Sequence, residues 1–99
     1  MKILVNTCYG SFTFNDDFVK TLPKFEGLDE IDIRYGNFER NDIDIIKAVE
    51  DFGIENVSGS YSSIEIVEIP EESTDWTINE YDGTEEVIYV LDGKIKYAC

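Results

Sequence analysis

The side chains of this chain that could do chemistry are almost all carboxylates. Asp and Glu number 22, against two cysteines, Cys8 and Cys99, and no histidine. The missing histidine removes Ser-His-Asp and Cys-His nucleophile arrangements, histidine-ligated zinc or haem, and any imidazole pH switch. Two cysteines cannot build a zinc site by themselves, nor the disulfide framework that staples small secreted domains. They read as a reduced, intracellular pair. Cys8, near the end of an apolar run with no Lys or Arg beside it to activate a thiolate, reads as a small buried hydrophobe. A carboxylate pair can serve as acid and base, but among so many acids such pairs arise by chance and identify no site. Asp42-x-Asp44 starts like a calcium loop and lacks the glycine and later glutamate that loop requires. No catalytic residue, cofactor or metal is expected.

Two constellations remain as binding candidates. The first is the strand-turn-helix over residues 6–17, where Tyr9 and Gly10 turn the chain from an apolar strand toward a helix start. Such a turn can present backbone N–H groups to an anion. Neither a P-loop nor a Gly-x-Gly-x-x-Gly pattern is matched there, and Asp16 and Asp17 occupy the positive helix end, so a plain structural turn is the competing reading. The second is Trp76, Glu80, Tyr81, Asp82 and Gly83, an aromatic anchor beside carboxylate acceptors that suits a recognition patch. Its competing reading makes Trp76 and Tyr81 strand and hairpin packing, with Glu80 and Asp82 solvated.

Charge is uneven along the chain. The net charge is −14, and residues 48–93 hold 13 of the acids and no Lys or Arg. Averaged over the surface expected for this mass, that is about one charge per 400 Å², roughly fourfold sparser than duplex DNA. A nucleic-acid mimic therefore needs the acids of residues 48–93 gathered on one face. No basic patch is available to bind DNA or RNA directly.

The elements that must position these residues read as one small α+β domain over residues 1–99, a mostly antiparallel sheet with two helices on one face and a C-terminal β-meander. Lys2 to Thr7 is a buried first strand. Asn15 caps a short helix that Pro23 stops, and Ile31 to Tyr35 alternates like a second short strand. Asn41 to Phe52 is the clearest helix, with Asn41 as cap, Ile45, Ile46, Val49 and Phe52 on one face and Gly53 as the stop. Ile64 and Ile66 share one strand face and Val67 and Ile69 the other, which calls for burial on both faces or a bulge. Trp76 to Ile78, Val87 to Leu91 and Lys94 to Tyr97 form the meander, with turns at Asp82-Gly83 and Asp92-Gly93. No charged leader or apolar run of membrane-spanning length is seen, so a cytosolic protein is expected.

Asn6-Thr-Cys8-Tyr9-Gly10-Ser-Phe12 followed by Asn15-Asp-Asp-Phe-Val19 resembles the N-terminal block of a family of small proteins encoded by bacteriophages and prophages. A second block runs from Gly53 through Ser58-Gly59 and Ile66-Val-Glu-Ile-Pro70 to Trp76-Thr-Ile78-Asn-Glu80-Tyr81-Asp82-Gly83-x-Glu85. Together they cover most of the chain. The family pattern carries a second glycine where Ser11 stands and a basic C-terminal stretch where this chain has the Asp92-Gly93 hairpin. The resemblance implies a phage accessory protein working in the cytoplasm of a bacterial host, and brings no settled mechanism with it.

Composition and resemblance together lead to a non-enzymatic protein that acts by binding. The expectation is a counter-defence or host-takeover inhibitor that engages a basic surface of a bacterial protein through residues 48–93. Its acidic face would comprise Glu68, Glu71, Glu72, Glu85 and Glu86. Two alternatives stay open. One is sequestration of a small nucleotide signal at residues 6–17, for which cations such as Lys20, Lys24, Arg34 or Arg40 would have to converge. The other is an acidic nucleic-acid mimic. Apolar strand edges in the meander would also suit a homodimer.

Overall fold

Helices begin where a side chain can hold the first free backbone N–H groups. The computed structural model describes residues 1–22 and 27–98; the expected stop at Pro23, and with it Lys24 and Cys99, lies outside them. Asn15 Oδ1 accepts the Phe18 N–H at 2.8 Å and starts α1 (Asp16–Thr21), as expected. Asp42, not Asn41, caps the long helix: its Oδ1 accepts the N–H groups of Asp44 and Ile45 at 2.9 and 3.1 Å. Asn41 sits one residue too early to reach them, and its amide instead faces Met1 Sδ.

The expected strand at Ile31 to Tyr35 is a helix, Glu30–Arg34, labelled α2. Alternation over five residues is too short to separate the two periods. The local chemistry decides for helix: Asp32 accepts the Asp29 N–H at 3.2 Å, and Arg34 reaches back one turn to Glu30. Only Ile33 of its two isoleucines is buried. The long helix α3 (Ile43–Phe52) presents Ile45, Ile46 and Val49 to the core and stops at Gly53, whose φ of 104° favours glycine.

Among the described residues five strands follow the periodicities: β1 (Lys2–Asn6), β2 (Ile64–Glu68), β3 (Asp75–Tyr81), β4 (Thr84–Leu91) and β5 (Lys94–Ala98). They form two antiparallel sheets, a β1-β2 pair and a β3-β4-β5 meander. Both meander turns put Asp and then Gly at positive φ, the geometry of a two-residue I′ hairpin.

The β1-β2 pair is the middle layer of three. On one face Leu4 and Ile64 join Phe14, Phe18, Ile45 and Val49 beneath the helices. On the other, Ile3, Val5, Val67 and Ile69 meet Val87 of the meander, with Trp76, Ile78 and Tyr89 packed around them. The phase switch in β2 is thus burial on both faces, with no bulge in the β1-β2 register.

A buried middle strand must satisfy its backbone on both edges. One edge of β1 bonds to β2. Along the other, the Leu4 N–H donates to Arg40 O at 2.8 Å, Arg40 Nη1 donates to Leu4 O at 3.2 Å, and the Asn6 N–H donates to Glu85 Oε1 at 2.8 Å. The two side chains are themselves joined by a two-pronged ion pair, at 2.7 and 2.9 Å. The guanidinium lies 4.1 Å over the Phe12 ring and donates through Nε to Gly36 O.

Glu85, 7% exposed, is therefore inside the protein and does not belong to an acidic surface. Removing one partner strands the other as a buried charge, so Arg40→Ala or Glu85→Ala alone is expected to cost about 3–5 kcal/mol in urea unfolding. The double variant Arg40→Met with Glu85→Leu should cost less than the sum of its two single changes by at least about 1 kcal/mol. It should not recover wild-type stability, because the Asn6 N–H and Leu4 O remain without partners.

Candidate functional site

Asn6 ends β1 and uses every hydrogen-bonding position of its amide. Its Nδ2 donates to Cys8 O and Gly83 O, each at 2.7 Å. Its Oδ1 accepts from the Cys8 N–H at 3.2 Å and the Ser63 N–H at 2.9 Å. With two donors and two acceptor lone pairs, the amide is saturated. One fully buried side chain thereby ties together three stretches of chain: the turn after β1, the loop before β2 and the β3-β4 turn.

The three stretches also pack backbone to backbone. A Cβ on Gly10 would fall 1.8 Å from Tyr61 O, and one on Gly83 would fall 2.3 Å from Tyr9 O, so neither position has room for a side chain. Thr13 O accepts from the Gly59 N–H and Ser62 Oγ, and the Thr7 N–H donates to Ser63 O, which locks the loop before β2 against residues 7–14. Ser11 (φ 73°), Tyr61 (φ 62°) and Asp82 (φ 50°) are all held in the left-handed region here. Non-glycine residues enter that region at a cost of roughly 1–2 kcal/mol, and a bulky side chain such as tyrosine does so rarely.

On the outside of this junction stand three tyrosines, Tyr9, Tyr61 and Tyr81, exposed at 73, 82 and 72%. Of the sequence-stated candidates, Tyr9, Gly10, Tyr81 and Asp82 come together here, next to Gly83. Trp76 lies five residues up β3, half-buried against the second core. Glu80 is exposed beside Tyr81. Tyr61 had no signal in the sequence beyond its type: its importance comes from the φ angle and from the contact of its backbone with Gly10. Cys8, expected to be buried, is half-buried with a free thiol.

The five acids proposed as one face are dispersed. Glu85 is buried on Arg40, and Glu86 lies on the outer side of β4, hydrogen-bonded to Asn79 at 3.3 Å. Glu68 and Glu71 line a cleft of about 520 Å³ together with Lys2, Lys47 and Glu50, and Glu72 is exposed in the turn that follows. In that cleft the Glu50 carboxylate, hydrogen-bonded to Lys2 at 2.8 Å, holds the Lys2 ammonium above its ordinary pKa, and the mixed charges largely cancel. Two of the cations named for a nucleotide cradle at residues 6–17 reach that segment but are paired with carboxylates there: Arg40 lies over Phe12 and pairs with Glu85, and Arg34 pairs with Asp16 and Glu30, while Lys20 is exposed on α1. No cluster of three or more potential metal ligands occurs among the described residues, and none of their helices is long and apolar enough to cross a membrane.

Compared with known proteins, the chain matches no family model, no curated protein and no solved structure.

The junction itself is testable through its glycines. Gly83→Ala should destabilise the fold by several kcal/mol, because the new Cβ meets the Tyr9 backbone at an unfavourable φ. Gly93→Ala, at similar φ with open space around it, should cost only about 1 kcal/mol. Thermal melts of the two variants side by side check the contrast.

Proposed function

We propose that this chain is a non-enzymatic binding protein of the phage accessory kind its sequence resembles. Its recognition surface is the tyrosine-bearing end around Tyr9, Tyr61, Tyr81 and Asp82, and it engages a basic surface of a bacterial protein in the host cytoplasm as a counter-defence or host-takeover inhibitor.

The observation that carries this reading is Tyr61, a large aromatic side chain at φ 62° whose ring is spent on solvent. A fold gains nothing from that placement. Strain held by a saturated hydrogen-bond junction is the pattern of a residue kept for what it meets. Rigid, exposed tyrosines supply contact area at small entropic cost, which is why they anchor protein interfaces. The net charge of −14 favours encounter with a basic partner and opposes nucleic acid and anionic lipid.

The test is a pair of variants compared in stability and in capture from bacterial lysate at low and moderate salt. Tyr61→Gly relieves the strain, so it should raise stability by up to about 1 kcal/mol. It should nevertheless weaken retention of a stoichiometric partner, and Tyr9→Ser should do the same at unchanged stability. If both variants hold the partner as the wild type does, the tyrosine end is not the recognition surface.

A further inference from the structure

The outer face of the β3-β4-β5 sheet departs from the usual pattern of a sheet packed on one side, which is apolar inward and polar outward. Its inward residues Trp76, Ile78, Val87 and Tyr89 pack on the second core. The alternate residues Ile88 and Val90 of β4 and Ile95 and Tyr97 of β5 are apolar as well. Register sets Ile88 opposite Tyr97 and Val90 opposite Ile95, so the four make one block, two to a strand. None of them belongs to either core, and Ile95 and Tyr97 are 65 and 66% exposed.

Carboxylates bracket the block. Asp75 lies across from Val90 on β3, and Glu86 precedes Ile88 on the same face of β4. Glu86 lines a shallow depression of about 270 Å³ with Asn79, Tyr81, Thr84 and Glu85. The two lysines of β5 alternate to the opposite face, Lys96 standing across from Tyr89, so the strands of this face, among the described residues, turn no cation outward.

We propose that this face docks an amphipathic helix of a partner protein, its apolar stripe covering Ile88, Val90, Ile95 and Tyr97 and a Lys or Arg at one end of the stripe entering the Glu86 depression. The dimensions agree. Alternate residues along β4 are spaced by about 6.8 Å and a helix advances about 6 Å in four residues, so a cation followed by apolar residues four and eight positions on tracks Glu86, Ile88 and Val90. A helix about 10 Å across also spans two strands about 4.8 Å apart. Charge selects among occupants: a second copy meeting it through the same face would bring the same carboxylates and, among the described residues, no cation, and anionic lipid or nucleic acid would be repelled. The apolar centre with a charged margin is the ordinary layout of a protein interface. This inference deepens the protein-binding reading and touches the tyrosine end only at Tyr81, which borders the Glu86 depression.

The probe is a synthetic helical peptide with a leucine stripe flanked by lysines, titrated into the isotope-labelled protein, alongside a twin carrying glutamate for lysine. Amide shifts should concentrate in residues 75–90 and 94–98, with the twin weaker by at least about tenfold. Ile95→Ser with Tyr97→Ser, both at exposed positions, should weaken the lysine peptide by a similar factor while the melting temperature holds. Tyr9→Ser should leave peptide binding unchanged, which separates failure here from failure of the tyrosine site. Shifts confined to other surfaces, equal binding of the glutamate twin, or wild-type affinity in the double variant each overturn the proposal. So does sedimentation showing a dimer that the double variant abolishes, which would make a second copy the occupant.

Discussion

Everything in this fold hangs on the unpaired edge of β1. The strand lies between the helices and the meander, and among the described residues its edge away from β2 has no neighbouring strand to bond. Arg40 and Glu85 take the place of that strand: a backbone carbonyl, a guanidinium and a carboxylate supply the acceptors and donor that Leu4 and Asn6 need. A buried ion pair is weak support for stability in general, since its desolvation offsets its attraction. Here its value is positional. Arg40 comes from the connection before α3 and Glu85 from β4, so the pair joins the helical layer to the meander across the middle sheet, and no apolar replacement could satisfy the same backbone groups.

The same tie determines where the tyrosine-bearing end forms. Glu85 is two residues past Gly83, so holding Glu85 against Asn6 brings the β3-β4 turn onto the turn after β1, where Asn6 then bonds Gly83 O. Once the two turns are fixed, the loop before β2 closes on Gly10, and Ser11, Tyr61 and Asp82 stand at positive φ around that contact. Strain at Ser11, Tyr61 and Asp82 is thus offset by bonds made a few ångströms deeper in the protein, which is how a rigid projecting end can coexist with a small core.

Elements with a local cause were legible in the sequence. The Asn15 cap, the Gly53 stop, both Asp-Gly hairpins and the two-faced β2 follow from near-neighbour chemistry and appear at their expected places. Ile31 to Tyr35 misled because five alternating residues fit either period, and the Asp29 to Asp32 contact that decided it is a single weak signal. The junction was half legible: Asn6, Cys8, Tyr9 and Gly10 fall in one recognisable block and Asp82, Gly83 and Glu85 in another, but their meeting is a contact across 79 residues that no local pattern encodes. Glu85 and Glu86 show the limit plainly. Adjacent and identical in type, they differ only in which face of β4 they occupy, so one is a buried structural anchor and the other a surface carboxylate.

That difference of face also organises the electrostatics. Four of the six cations in residues 1–47 are spent on nearby carboxylates: Lys2 on Glu50, Arg34 on Asp16, Arg40 on Glu85 and Lys47 on Asp51. Three of these pairings neutralise acids of the helices, and the fourth neutralises Glu85 on the inner side of the meander. The acids of the meander's outer side have no such partners among the described residues, because β5 turns its lysines the other way. The unpaired carboxylates Asp75 and Glu86 therefore stand beside the part of the sheet that is also apolar and uncovered. A partner drawn by long-range attraction would then meet a surface able to hold it by burial, the combination that gives fast encounter and slow release together.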